Sequence, residues 1–168
     1  LTGVNFAPSE DKTLSLDKAF DLVVNSQGGY STDRNDKGNW TGGEIGVGEL
    51  KGTKYGISAA SYPSLDLKNL SLEDAKKIYY ENYWLPSGAQ DLAPAAAYVL
   101  FDAAINSGVG TAREQMASAG TVADFINARA AFYGDLARRE PGTYGTQLNG
   151  WMNRITDITN NSLMLSGY

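Results

Sequence analysis

The chain of 168 residues contains neither cysteine nor histidine, and these two absences exclude several kinds of chemistry. Without cysteine there is no thiol nucleophile, and without histidine no Ser-His-Asp triad can form. A zinc site would have only carboxylates as ligands, which is unusual. Acid–base work falls to Asp, Glu, Tyr and Lys, so a carboxylate mechanism is the leading option if the chain is an enzyme. We expect no cofactor and no catalytic metal.

Long apolar runs are also missing, and negative charge exceeds positive charge. No segment approaches the roughly 20 apolar residues of a membrane span, so we expect no stable membrane insertion. The formal net charge of −5 argues against nucleic acid as a partner, because nucleic-acid binding usually needs a basic face. The length suits one domain, and we expect a monomer.

Most of the chain has the periodicity of amphipathic helices, with apolar residues at steps of three and four. The first helix follows Leu14 and stops at Gly28-Gly29. Later helix starts are marked by N-cap residues or by proline, at Ser71, Pro94, Thr111 and Thr121. Gly108 and Gly110 are expected to end the Pro94 helix, and Pro141-Gly142 to precede the last helix. Trp84 and Trp151 are assigned to the core, whereas Arg129 interrupts an apolar stripe and is either paired or on a partly buried face.

Residues 28–57 differ from the rest because they hold nine of the 19 glycines and show no helical period. Within them, Glu44–Leu50 favours a small irregular hairpin. A loop of this length inside a compact domain is usually functional. We predict a tail or linker over residues 1–13. Residues 14–168 are predicted to form a single, mainly α domain with a small irregular β/loop lobe near the N-terminus, and a cleft beside that lobe would suit a long substrate.

One constellation carries the chemistry: Ser26-Gln27-Gly28-Gly29-Tyr30, then Asp36, then Thr53-Lys54-Tyr55-Gly56-Ile57. It resembles glycoside hydrolase family 108, the N-acetylmuramidases of phages and Gram-negative bacteria, whose hallmark is Glu-Gly-Gly-Tyr, an Asp-containing turn and Gly-x-Thr-x-x-Gly-Ile. Here Gly52 adjoins Thr53 directly, so the last piece matches only from the Thr onward. Residues 79–84, 101–108, 132–133 and 150–154 extend the resemblance, which runs from about residue 16 to 158.

The resemblance implies a lysozyme-like fold and hydrolysis of the β-1,4 bond between N-acetylmuramic acid and N-acetylglucosamine. It implies peptidoglycan glycan strands as the partner and the bacterial cell wall or periplasm as the place of action. A phage or prophage origin is expected, with the protein either part of the virion or released at lysis.

The resemblance also implies that the general acid is a Glu at the end of the first helix, where this chain has Gln27. An amide does not usefully donate a proton to the leaving oxygen, as a carboxylic acid with a raised pKa does. The chain is therefore expected to be inactive. Gln27 is either a deliberate substitution of the catalytic Glu or the mark of a natural relative that only binds glycan. A third interpretation makes it an ordinary helix C-terminal residue.

Asp36 and a threonine complete the predicted catalytic group. Asp36 stands at the Glu–Asp spacing of phage-type lysozymes and could orient or activate the water, although Asp before Lys37-Gly38 is also a common turn former. Thr53 is preferred over Thr41 because Lys-Tyr-Gly-Ile follows it. Two further acids in the lobe, Glu44 and Glu49, are more readily explained as exposed loop charges.

The candidate substrate contacts are Tyr30, Trp40, Tyr55 and Asn106. Aromatic rings can stack on sugars, and Trp40 is expected to face a sugar from the lobe. Asn106, at a helix end, could hold an N-acetyl group, or it could be a helix cap. Three other functions stay open: a non-catalytic peptidoglycan-binding module of a virion, a lytic transglycosylase that needs no water-activating carboxylate, and a helical interaction protein that would not need the lobe.

Overall fold

The computed structural model describes residues 14–27, 29–144 and 148–165, without the side chains of residues 25–27, 143, 144 and 148. The predicted tail, residues 1–13, therefore lies outside the described residues. The chain divides into two compact units. The described residues between 20 and 79 form what we call the glycine-rich unit, and the described residues of 14–19 and 80–165 form the helical unit. That residues 14–168 behave as one domain stays a prediction.

The described residues are mainly helical, as predicted. The α-helices are α1 Leu16–Gln27, α2 Leu72–Tyr79, α3 Leu85–Ser87, α4 Pro94–Ser107, α5 Val109–Ala117, α6 Val122–Arg139, α7 Pro141–Tyr144 and α8 Leu148–Leu165. A π-helical turn, Tyr80–Trp84, connects α2 to α3, and short 3₁₀ turns occupy Lys37–Asn39 and Ala89–Asp91. Strands β1 Thr53–Lys54 and β2 Ile57–Ser58 pair antiparallel. The predicted mainly α fold with a small β/loop lobe is confirmed.

Helix α4 forms the centre of the helical unit and packs against α5, α6 and α8. Apart from Asp102, its residues 95–104 are apolar or aromatic, and all of them are buried, as expected for a helix enclosed by others. The Trp84 ring meets Phe101 edge-on at 5.1 Å, and both are buried, so the core assignment of Trp84 is confirmed. Burying a ring the size of Phe101 contributes about 1.5–3 kcal/mol. Trp151 is only half-buried, so its core assignment is wrong.

Local capping chemistry explains three of the four predicted helix starts. Ser71 and Thr121 accept hydrogen bonds from the backbone N–H three residues later, and Pro94 opens α4. The start at Thr111 is wrong because α5 begins at Val109, directly after Gly108. With φ of +89°, Gly108 ends α4 and caps α5 at once, a conformation that favours glycine. Gly110 consequently lies inside α5 and does not end a helix.

The glycine-rich unit is organised by a tight hairpin and a wider loop. Tyr55 and Gly56 connect β1 to β2 with φ of +52° and +80°, and positive φ at both positions is what a type I′ turn requires. The wider loop is closed by a bridge between Trp40 and Leu50, so it begins before the predicted Glu44–Leu50 hairpin and forms no regular strand. Beneath them lies an apolar core that includes Phe20, Ile57, Leu67 and Tyr79.

Candidate functional site

The position predicted for the general acid is the last residue of α1. Gln27 ends the helix, as the glycines after it predicted, but its side chain and Gly28 lie outside the described residues. A side chain added at Gly29 would meet no atom of the described residues within 4 Å. The role of Gln27 stays a prediction.

Thr53 is tied directly to the segment that follows α1. The backbone groups of Ser31 and Thr53 exchange two hydrogen bonds of 2.9 Å, which place β1 beside the residues just past Gln27. Thr41 instead lies in the outer loop, where its hydroxyl accepts a hydrogen bond from the Glu49 N–H. Of the two threonines, Thr53 is therefore the one held next to the continuation of α1, in agreement with the preference for it.

Asn39, which the sequence analysis did not single out, is the centre of this arrangement. Its side chain is fully buried, donates to the Asp33 carbonyl at 3.0 Å and accepts from the Thr53 hydroxyl at 2.6 Å. Its backbone carbonyl accepts from the N–H groups of Lys51 and Gly52. A single asparagine in an aperiodic, polar segment carries no periodic signal, so only the fold reveals that Asn39 positions Thr53.

Asp36 caps the 3₁₀ turn Lys37–Asn39 and is exposed to solvent. Its Oδ1 accepts from the Gly38 N–H at 2.9 Å, the geometry of the turn-forming interpretation. Within the described part of the chain its Oδ2 makes no hydrogen bond, so one carboxylate oxygen stays available to a water molecule. Glu44 and Glu49 are exposed in the outer loop, as expected of loop charges.

The three predicted aromatic contacts of the glycine-rich unit have different surroundings. Tyr30 is 43% exposed, and its hydroxyl donates to the Lys51 carbonyl. Tyr55 is half-buried in the hairpin turn, with the Lys54 ammonium 5.4 Å from its ring centre. Trp40 is only 8% exposed, its indole N–H donates to the Arg34 carbonyl, and the Arg34 guanidinium lies over its ring. Little of the Trp40 ring is therefore open to a sugar, and its role as a substrate contact stays a prediction.

Tyr30 lines an open cavity of about 340 Å³ in the glycine-rich unit. The other lining residues are Leu50, Lys51, Ser64, Asp66, Leu67 and Lys68. A hydrogen bond from the Asn69 side chain lowers the pKa of Asp66, so its carboxylate is ionised at neutral pH. The cavity thus combines one aromatic face with charges of both signs, a lining suited to a polar ligand such as a sugar.

Asn106 belongs to the helical unit and not to the glycine-rich unit that contains the other predicted contacts. It is exposed in the last turn of α4, and its amide donates back to the Asp102 carbonyl at 2.9 Å. That hydrogen bond lies within the helix, and the residue that caps α4 is Gly108, so neither the substrate role nor the capping role of Asn106 is confirmed. Asn106 also lines a cavity of about 420 Å³ between α4, α6 and α8.

Beside that cavity lies a buried ionic cluster that the sequence analysis only partly anticipated. Asp102, in the middle of α4, accepts from the Arg129 guanidinium at 2.7 Å and from the Arg154 guanidinium at 3.0 Å. Arg129 also donates to the Tyr133 hydroxyl at 2.7 Å. Burial acts to lower the pKa of Arg129, but Asp102 and Tyr133 outweigh it and raise the pKa. Arg129 is therefore paired and fully buried.

Within residues 14–27, 29–144 and 148–165, no group of three or more Asp and Glu side chains is arranged to hold a metal ion. Over the same residues, no helix combines the length and the apolarity that crossing a membrane requires.

Comparison with known proteins adds a family and a fold. A family described as glycosyl hydrolase 108 matches residues 20–108, more than half of the chain. The structure of Brucella abortus SagA superimposes with a TM-score of 0.69 at 24% identity, covering 91% of this chain and 96% of that one. At this identity the likeness shows the fold alone. No curated protein sequence matches significantly.

Proposed function

The chain belongs to the glycosyl hydrolase 108 family, and from that premise we propose that it derives from an N-acetylmuramidase that cleaves the β-1,4 bond of peptidoglycan strands. Family membership suggests peptidoglycan hydrolysis in general, and the bond and the role of Gln27 are our proposal. The observation that supports it most is local: α1 ends at Gln27, and within a few residues the chain is bonded to Thr53.

A glutamate at position 27 would have the surroundings of a general acid. The C-terminal end of a helix carries a partial negative charge of about half an elementary charge, which disfavours a second negative charge and raises a carboxyl pKa. A raised pKa keeps the carboxyl protonated until it transfers its proton to the glycosidic oxygen. Gln27 matches Glu in size but lacks the acidic proton, so the chain should bind glycan without cleaving it.

The test is a comparison of this chain with its Gln27→Glu variant. We expect the variant to clear suspensions of outer-membrane-permeabilised Gram-negative cells and to release reducing ends from purified peptidoglycan. The parent chain should be at least about 100-fold slower, since general acid catalysis contributes about 10²–10⁴-fold. Asn25→Asp is the matched control, because it adds the same charge to the end of α1 without an acid at position 27, and it should stay inactive.

Other outcomes would point elsewhere. If the Gln27→Glu variant stays inert while both proteins sediment with peptidoglycan, the chain is a binding module. If the parent chain itself cleaves, the acid is misplaced, and Asp36, Glu44 and Glu49 become the residues to substitute.

In the Gln27→Glu background, Asp36 and Thr53 are proposed to hold the attacking water. We expect Asp36→Asn and Thr53→Val to lower the rate of peptidoglycan cleavage at least about tenfold, whereas Thr41→Val should keep most of it. Thr53→Val also leaves the buried Asn39 oxygen without its donor, at a cost of about 1–3 kcal/mol. Thr53→Ser keeps the hydroxyl, so it should retain both the hydrogen bond to Asn39 and most of the activity.

Product analysis of the same variant distinguishes the two cleavage mechanisms. Hydrolysis gives a free reducing end, and inversion is expected if Asp36 positions the water, with the two carboxyl groups about 6.5–9.5 Å apart. An anhydro-sugar product would instead indicate a transglycosylase, and activity should then survive Asp36→Asn.

A second candidate function is a non-catalytic peptidoglycan-binding module of a phage virion, and Gln27 itself favours it. In either case the substrate is part of the bacterial cell wall, so we propose the wall or periplasm as the place of action and a phage or prophage as the origin. We further propose that the chain acts as a monomer, which light scattering at working concentration would test.

A further inference from the structure

The cavity between α4, α6 and α8, which we call the Arg154 cavity, combines an aromatic wall with positive charge. It is lined by Asn106, Ser107, Phe132, Tyr133, Leu136, Gly150, Trp151 and Arg154. At about 420 Å³ it falls within the range of small-molecule sites. No acidic side chain is among these residues, although the chain as a whole carries a net charge of −5.

The positive charge of the cavity comes from the ionic cluster of Asp102, Arg129 and Arg154. Asp102 carries one negative charge, and Arg129 and Arg154 carry two positive charges, so the three side chains together have a net charge of +1. Both carboxylate oxygens of Asp102 are already used, one by each guanidinium. Arg129 is 1% exposed, whereas Arg154 is 15% exposed and lines the cavity. The unbalanced charge is therefore presented to the cavity by Arg154.

Aromatic side chains make up much of the rest of the lining. The Trp151 ring stacks on the Tyr133 ring at 4.9 Å with an interplanar angle of 25°, and Phe132 lies 5.8 Å from Tyr133. The Tyr133 hydroxyl accepts a hydrogen bond from the buried Arg129 guanidinium. Ser107 also lines the cavity, and its buried hydroxyl makes no hydrogen bond with any described residue.

We propose that the Arg154 cavity binds a carboxylate of a muramyl peptide, with the Arg154 guanidinium on the carboxylate and the apolar part of the ligand against Trp151. A guanidinium forms its strongest hydrogen bonds with carboxylates, and a partly desolvated one forms them more strongly than an exposed one. This inference rests on the proposed function, because it takes peptidoglycan as the ligand. It adds recognition of the acidic side group to recognition of the sugar chain.

The experiment measures binding of four defined ligands to the chain as it stands, by calorimetry and tryptophan fluorescence. The first two are muramyl dipeptide and the same compound with its free carboxylate amidated. N-acetylmuramic acid tests the lactyl carboxylate as the alternative source of the charge, and acetate tests a bare anion. We expect at least about tenfold weaker binding of the amidated compound, since a hydrogen bond to a charged group contributes that much or more.

Variants locate the site. Arg154→Gln should weaken muramyl dipeptide binding at least about tenfold. Arg154→Lys keeps the charge but lacks the planar guanidinium that can form two parallel hydrogen bonds, so its affinity should lie between those of the parent chain and Arg154→Gln. Arg139→Gln, an exposed arginine at the end of α6, is the matched control and should bind like the parent. Arg154→Gln leaves the Asp102–Arg129 pair intact, and thermal unfolding checks its fold. In Trp151→Phe the ligand-induced fluorescence change should disappear while calorimetry still detects binding.

Equal affinity for the amidated ligand, unchanged binding by a folded Arg154→Gln, or a fluorescence change that survives Trp151→Phe would each overturn the inference. Acetate binding as tightly as muramyl dipeptide would do the same. If Arg154→Gln does not fold, the amidated ligand and Trp151→Phe decide alone. Should Gln27→Glu cleave peptidoglycan while the parent chain binds no muramyl peptide, this inference fails and the proposed function stands. If instead the parent chain binds muramyl dipeptide as expected but Gln27→Glu does not cleave peptidoglycan, the cavity assignment stands and the proposed catalysis is refuted.

Discussion

Asp102→Asn removes the single negative charge that lies between two buried or half-buried guanidinium groups. The Asp102 carboxylate is 1% exposed and pairs at 2.7 Å with Arg129, itself 1% exposed, and at 3.0 Å with Arg154. An asparagine has nearly the same shape, so the change leaves no cavity. It leaves two positive charges facing each other with no counter-charge, and arginine does not lose its proton in compensation.

The expected magnitude follows from the burial of the pair. Removing one partner of a buried ion pair costs about 3–5 kcal/mol, since the remaining charge is neither solvated nor paired. Arg154 is partly exposed and adds less, because solvent screens its charge. For a chain of this size each kcal/mol lowers Tm by about 2–4 °C, so a decrease of about 6–20 °C is expected. Urea unfolding and circular dichroism on heating measure both quantities.

Asp135→Asn provides the control, because it is the same chemical change in an exposed pair. Asp135 and Arg138 are 56% and 73% exposed on the surface of α6, and exposed pairs contribute about 0–1 kcal/mol. The reasoning fails if the unfolding free energy of Asp102→Asn lies within about 1 kcal/mol of the parent value, or if its Tm is no lower than that of Asp135→Asn. In that case the ionic cluster does not stabilise the packing of α4, α6 and α8.

Three further predictions concern local features. Gly52→Ala places a Cβ 2.4 Å from the Ser31 carbonyl oxygen, at a φ of +89°. It should lower the free energy of unfolding in urea by clearly more than Gly46→Ala, where φ is +81° but no atom of the described residues lies within 4 Å. Equal losses would contradict the steric argument. Burial raises the pKa of Tyr98 to about 12 despite a hydrogen bond from Asn161, so its stabilising contribution should be complete below pH 10, the ordinary pKa, and disappear by about pH 12. Between pH 10 and about pH 12, the free energy of unfolding should fall less steeply with pH for Tyr98→Phe than for the parent chain. Identical slopes would refute the raised pKa of Tyr98. Thr121→Ala should destabilise by about 1 kcal/mol through loss of the α6 cap, which thermal unfolding would detect and Thr121→Ser should largely avoid.

Features that depend on neighbouring residues were predictable from the sequence. The N-caps at Ser71 and Thr121 were identified because a side chain satisfies a backbone N–H three residues away. The end of α1 at Gln27 followed from the two glycines after it. The error at Thr111 is also local: a capping motif was present, but Gly108, three residues earlier, reverses the chain and starts α5 itself.

Contacts between residues distant in sequence were not predictable in the same way. Arg129 was identified as anomalous on an apolar stripe, yet its partner Asp102 lies 27 residues away and Arg154 lies 52 residues from Asp102. Trp40 was expected to face a sugar because it lies in a polar lobe, and the fold leaves little of its ring exposed. Asn39, which orients Thr53 across 14 residues, carried no signal at all.

The sequence by itself determined the helical class and the glycine-rich lobe, because periodicity, capping and glycine act over a few residues. The order of its motifs carried the resemblance to the family. Only the tertiary structure decided which charges are neutralised, which aromatic rings are exposed and where a cavity combines a cation with aromatic side chains. Those properties depend on solvent exclusion and on distances between separate segments, and neither exists until each unit has folded.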